Sequence, residues 1–158
     1  KYSAVKGLFR EYELSYTWGT ERDFITRRLL YLKHPVRMYP LTINAREART
    51  LFVGLLTETN TIAQRPRFYN TLTANCTNVL ADIVNGVERG TIPWDVSWYL
   101  PGYSDRFLMR IGYITTDWSV EQTRKNYALE PVRAQVLEKA VSPHAEFGAF
   151  LRSLLPLE

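Results

Sequence analysis

The stretch "FREYELSYTWGTERDFITRRLLYLKHPVRMYPLTI", residues 9–43, carries the reading on which the fold turns. From Phe9 to Trp18 it alternates, with Phe9, Tyr12, Leu14, Tyr16 and Trp18 as the larger apolar positions, which is the period of a half-buried strand. "GTER" is a turn. "RDFITRRLLYL" and "VRMYPLTI" are two further strand candidates, separated at Lys33-His34-Pro35, where proline interrupts a ladder. Residues 1–43 are therefore expected to form an antiparallel β unit.

Downstream the period changes to that of helices. Asn44 and Glu47 have the spacing of a capping box, and Ala48, Leu51, Phe52, Leu55 and Leu56 make a stripe running to about Thr59. "AQRPRFYNTLTAN" is a loop around Pro66. A second helix begins near Asn75 or Cys76 and ends at Gly86, a residue suited to a helix C-terminus. Thus residues 44–86 hold two helices and the cysteine loop. In residues 87–158 an aromatic loop, "IPWDVSWYLPGY", precedes helices at 104–111, 119–127 and 131–141 and a last one opened by Ser142-Pro143. No internal repeat or linker divides the chain, so 158 residues make a single domain of α+β class.

Composition narrows the function. A hydrophobic content of 46% excludes a disordered chain, and no apolar run reaches the ~20 residues that span a bilayer. The net charge of +4 comes from dispersed residues, without the basic stripe of a nucleic-acid binder, so no nucleic-acid partner is expected. Two histidines and one cysteine at remote positions offer no chelating spacing, and there is no Gly-rich phosphate loop. Neither a metal nor another cofactor is expected.

The single cysteine, Cys76, leaves two readings open. On a helical wheel it falls in the middle of the face made by Val79, Leu80, Ile83, Val84 and Val87, where a thiol packs as a small hydrophobe. Alternatively, the N–H groups and positive dipole end of a helix N-terminus stabilise a thiolate nucleophile. Asn70, Thr71, Thr73, Asn75, Thr77 and Asn78 surround it with more polar groups than one cap requires. Tyr69 either donates to an oxyanion or packs in the core. Trp94, Trp98, Tyr99 and Tyr103 either line a groove for an acyl chain or lipid surface, or form a lid over the core.

Taken in order, "YSAVKGLFREYELSY", "ERDFITRR", "VRMYPL", "RPRFYNTLTANCTNVL" and "LPGYSDRFLMRIGYI" resemble the motifs of a bacterial domain family of formerly unknown function. That family includes the periplasmic domain of a lipoprotein N-acyltransferase, and it is similar to permuted papain-like thiol enzymes of the NlpC and lecithin:retinol acyltransferase kind. The resemblance implies a permuted papain-like fold with an antiparallel sheet packed by helices. It makes Cys76 the nucleophile of a thiol-dependent acyl hydrolase or acyltransferase acting on a lipid or lipopeptide ester or amide. It further implies a place in the periplasm or cell envelope and association with a membrane surface. The alternatives are a non-catalytic envelope binding or scaffold domain and a cysteine peptidase or amidase.

In permuted members the histidine lies upstream of the cysteine, ahead of the segment matching Tyr2 to Tyr16. The chain is thus expected to be the C-terminal part of a larger papain-like domain, its histidine strand absent. His34, at a strand corner, is a fallback base; His144 sits where a helix dipole disfavours a cation. Asn70, Asn75 and Thr77 join Tyr69 as residues shaping the site or its oxyanion pocket. Glu21, Arg22 and Asp23, which match the family's "ERD", either order a sheet edge near the cleft or form a turn with an internal ion pair.

Overall fold

The computed structural model describes residues 3–70, 73–87 and 92–156. In chain order the helices are α1 (Ala4–Leu8), α2 (Glu21–Thr26), continued by a π-helical turn over Arg27–Tyr31, α3 (Ala45–Gln64) and α4 (Cys76–Val87). Two 3-10 turns, Val96–Trp98 and Pro101–Tyr103, lead into α5 (Ser104–Arg110). Then come α6 (Val120–Asn126), a 3-10 turn over Glu130–Val132, α7 (Arg133–Lys139) and α8 (His144–Ser153).

The antiparallel sheet expected from residues 1–43, and with it the papain-like α+β class, is corrected by this architecture. Among the described residues β pairing consists of three isolated bridges, Glu13 with Phe68, Arg37 with Ala128 and Asn70 with Ala74. The alternation from residue 9 was a true signal of extended chain: Tyr12, Leu14 and Tyr16 are half-buried while residues 11, 13, 15 and 17 are exposed. Its pairing stops at one bridge, flanked by Leu14 N donating to Arg67 O at 2.9 Å and Tyr69 N to Tyr12 O at 2.7 Å. Residues 36–43 likewise form one bridge, with Leu129 N on Val36 O at 2.9 Å and Met38 N on Tyr127 O at 3.0 Å, before Pro40 removes the next donor.

"RDFITRRLLYL" is helical. Thr20 and Asp23 form a capping box, each side chain accepting the other's backbone N–H at 3.2 Å. Ile25 and Leu29, four residues apart, then lie on one face, and Leu29 is fully buried. The β preference of Phe24, Ile25 and Thr26 is a weak bias that the cap and this burial override. The turn closes with Leu32 N on Arg27 O at 3.0 Å and with Lys33 at φ +53.

The chain divides into two compact units. The second comprises Thr17–Leu41 and the described residues of Thr116–Glu158. Its core is Leu29, Leu129, Val136, Phe147 and Leu151, none more than 3% exposed. Sequence signals place its helices well: Ser119 caps α6 through Gln122 N at 3.2 Å, and Pro143 stands at the cap of α8 rather than at its first residue.

The first unit comprises the described residues of Lys1–Tyr16 and Thr42–Thr115. Asn44 accepts from Arg46 N and Glu47 N at 2.9 and 3.0 Å, and Glu47 accepts from Asn44 N at 2.7 Å, the capping box expected. α3 runs beyond Thr59 to Gln64, and within it Thr57, Thr59 and Thr61 turn their hydroxyls onto carbonyls four residues back at 2.7–2.9 Å. Its inner face differs from the expected stripe. Phe52 and Leu56 are exposed, whereas Gly54 sits so close to α4 that a Cβ there would overlap Ile83 Cγ2.

Candidate functional site

Cys76 is the first residue of α4, as expected, and its side chain lies outside the described residues, as does Thr71. The asparagines around it are backbone caps. Asn75, 2% exposed, accepts from Thr77 N at 2.8 Å and Asn78 N at 3.0 Å, while Asn78 accepts from Asn75 N at 2.8 Å. These bonds satisfy N–H groups that a helix start leaves without intrahelical partners. Asn75 Nδ2 also donates to Trp98 O at 2.7 Å, tying the start of α4 to the aromatic loop. Asn70 Oδ1 accepts from Thr73 N at 3.0 Å across a tight turn, and its Nδ2 donates to Leu8 O at 3.2 Å. Thr77 is half-buried. The α4 face agrees with the expected one in part: Val79 is buried and Ile83 and Val84 are half-buried, whereas Leu80 is 44% exposed and Asn78 and Ala81 are buried instead.

Two grooves belong to this unit. One, of about 500 Å³, is walled by Tyr12, Leu14 and Tyr16 from the extended segment, Leu55 from α3, Tyr69 and Leu80, and its wall includes the helix cap, Asn75. Burial, reinforced by the Glu58 charge, raises the pKa of Tyr16 above its usual value and keeps it protonated. The other, of about 650 Å³, follows α3 and α4, with Val53, Gly54 and Ile83 in its wall and Arg46 and Arg49 among its polar lining. Val79 contributes to both. The periodicity of residues 12, 14 and 16 is the sequence signal for the first groove, although the same period suits a strand of a sheet.

No histidine lies in this unit. His34 and His144 are in the other, both exposed, with His34 Nδ1 3.3 Å from Arg28 and His144 Nε2 3.2 Å from Arg22. There, Glu21, Arg22 and Asp23 form the first turn of α2 rather than a sheet edge. Asp23 is the capping partner of Thr20, Arg22 donates to Ser142 O at 2.8 Å, and Glu21 receives both arms of Arg152 at 2.7 and 2.8 Å. Those bonds hold the Glu21 carboxyl below its usual pKa, with burial partly opposing.

The aromatic loop is neither wholly lid nor wholly surface. Trp98 and Tyr99 are half-buried, whereas Trp94 and Tyr103 are mostly exposed, and the Trp94 indole donates to the Tyr99 hydroxyl at 3.3 Å. Asp95 accepts from Ser97 N at 2.8 Å and pairs with Arg110; these contacts keep its carboxyl below the usual range, the Ser97 bond first. Among the described residues no three His, Cys, Asp or Glu side chains gather as a metal site, and no helix is long and apolar enough to cross a membrane.

No match was found among curated proteins or solved structures. Residues 1–101 match the family model of the Lnb N-terminal periplasmic domain.

Proposed function

We infer, from the premise that the chain belongs to the Lnb N-terminal periplasmic domain family and so resides in the periplasm, that it carries the thiol of an acyl-transfer reaction. The observation that carries the reading is the largely apolar groove whose wall includes the N-cap of the helix that Cys76 begins. Support also comes from the resemblance of "RPRFYNTLTANCTNVL" to the periplasmic domain of a lipoprotein N-acyltransferase. An acyl chain of a lipid or lipopeptide would lie along Leu14, Leu55 and Leu80, bringing its ester carbonyl to the first turn of α4.

The Cys76 thiolate attacks the carbonyl carbon, forming a C–S bond and an oxyanion that the Cys76 backbone N–H would stabilise, since the Thr77 and Asn78 N–H groups are held by Asn75. Collapse breaks the C–O bond, and the departing alkoxide takes a proton. The resulting thioester passes its acyl group to an amine or to water as the C–S bond breaks. The cysteine's own unit holds no histidine to carry that proton.

A second reading, a binding domain of the envelope without catalysis, is favoured by a different observation. Asn70, Asn75 and Asn78 are engaged with backbone groups, as a purely structural helix start requires. An activated p-nitrophenyl acyl ester separates the two, because its leaving group needs no acid. The acyl-transfer reading expects a stoichiometric, hydroxylamine-labile adduct by mass spectrometry on the full chain, absent from Cys76→Ala. An unmodified wild type, or an adduct persisting in Cys76→Ala, overturns it.

A further inference from the structure

One face of α3, recurring at three- and four-residue intervals from Arg46 to Glu58, forms a wall of the groove of about 650 Å³, and Ile83 of α4 closes on it at Gly54. The wall has a cationic end. Arg46 and Arg49, in the first two turns, are exposed, and neither side chain has an ion pair or hydrogen bond among the described residues. The acids on the same helix do not cancel them. Glu47 is turned back onto Asn44 N at 2.7 Å, and Glu58, at the far end of the wall, is paired with Arg67. Asn44 accepts from the Arg46 and Glu47 N–H groups, so the positive charge is that of the side chains rather than of an open helix start.

Asp82 is the remaining acid of the groove. It is exposed and likewise without a side-chain partner among the described residues, and it adjoins Ile83, the residue that meets Gly54. Along α3, Gly54 is roughly 8 Å from Arg49. The groove therefore offers donors at one end and an acceptor farther along, with apolar Val53 and Ile83 beside them. An extended peptide covers that interval in roughly two to three residues. An acyl chain suits it poorly, because it would cover the Asp82 carboxylate with methylenes and return no hydrogen bond.

We propose that this groove binds an extended peptide segment through a carboxylate held by Arg46 and Arg49. A backbone N–H of the peptide, roughly two to three residues away, donates to Asp82, and an apolar side chain between them packs on Val53 and Ile83. Guanidinium–carboxylate bonds are charge-assisted, and the planar fork of arginine matches both carboxylate oxygens. An acidic side chain and a peptide C-terminus present the same group. Asp82, which would only repel a simple anion, becomes part of the recognition. The inference is independent of the chemistry at Cys76.

The test is calorimetric titration of the full chain with three acetylated hexapeptides of serine and alanine containing one leucine. The first carries an internal glutamate and an amidated end, the second glutamine and a free C-terminal carboxylate, the third glutamine and an amidated end. At least one carboxylate peptide should bind about ten-fold or more tightly than the neutral one, an advantage that shrinks with salt and shows which carboxylate is recognised. Arg46→Gln with Arg49→Gln should erase that advantage. Asp82→Ala should weaken the preferred peptide about three-fold or more, circular dichroism verifying that each variant folds. Equal binding of the three peptides, binding of none, or an advantage that survives the arginine variant overturns the proposal. So does unchanged or tighter binding in Asp82→Ala, which would make Asp82 a bystander or a repelling charge. Laurate that binds more tightly than every peptide and is lost in Val53→Asp also overturns it, assigning the groove to an acyl chain.

Discussion

Both units leave large apolar side chains exposed, Tyr31, Leu137 and Val141 in one and Phe52, Leu80 and Trp94 in the other, and they differ in how the rest are gathered. In the unit of α2, α6, α7 and α8, five of them close into a core that excludes water almost entirely. In the unit of α1, α3, α4 and α5, buried positions such as Ile62, Val79, Phe107 and Ile114 are accompanied by two open grooves and by exposed Phe52, Val53, Leu80 and Trp94. Polar side chains are correspondingly more important there: Asn75, Asn78 and Ser97 are buried in it, against Thr123 in the other. A closed core gives stability, whereas side chains left at grooves keep their hydrophobic free energy available to a ligand.

The largest test of this contrast is Phe147→Ala. It deletes a completely buried ring and should cost about 3–5 kcal/mol in urea unfolding; a loss below ~1 kcal/mol would show that the closed core is not what holds its unit. In the grooved unit the matching change is Asn75→Ala, which removes the bonds to Thr77 N, Asn78 N and Trp98 O. A loss of about 2 kcal/mol is expected, with faster hydrogen exchange at the Thr77 and Asn78 amides. Unchanged exchange would mean that the cap is dispensable.

The smallest effect belongs to the Glu21–Arg152 pair, whose side chains are 49% and 59% exposed. Because the Glu21 pKa is lowered on folding, its contribution is present above the ordinary value of 4.5 and is lost as pH falls through the lower folded value. Solvent screening keeps it below about 1 kcal/mol. Wild type should therefore exceed Glu21→Gln slightly in urea midpoint at about pH 7, and the gap should narrow as pH falls below 4.5. A gap that widens in acid would reverse the assignment.

Local chemistry in the sequence was a good guide where one or two residues decide the structure. Asn44 with Glu47, Ser119 and the start of α4 are legible because capping involves neighbours only a few positions apart. Alternation likewise revealed that Tyr12, Leu14 and Tyr16 share a half-buried face. What it could not reveal was the partner: the same pattern serves a strand in a ladder and an extended segment with one bridge to Phe68. "DFITRRLL" misled differently. Its β-branched and aromatic residues suggested a strand, while the Thr20–Asp23 box was passed over as a turn, and only the burial of Leu29 among remote residues of α7 and α8 shows why the helix wins. The polar residues before α4 were read as site chemistry, yet the described asparagines do backbone work, a distinction that residue type alone does not encode.

Gly54 has a consequence for how the grooved unit can be altered. Since any Cβ there would press on the stiff, branched Ile83, the spacing of α3 and α4 is set by a missing methyl group. Gly54 and Ile83 belong to the wall of one groove, and their helices supply Leu55 and Leu80 to the other. Position 54 is thus a dimensional control: adding one carbon would change the calibre of the groove between the two helices without altering any side chain at the start of α4.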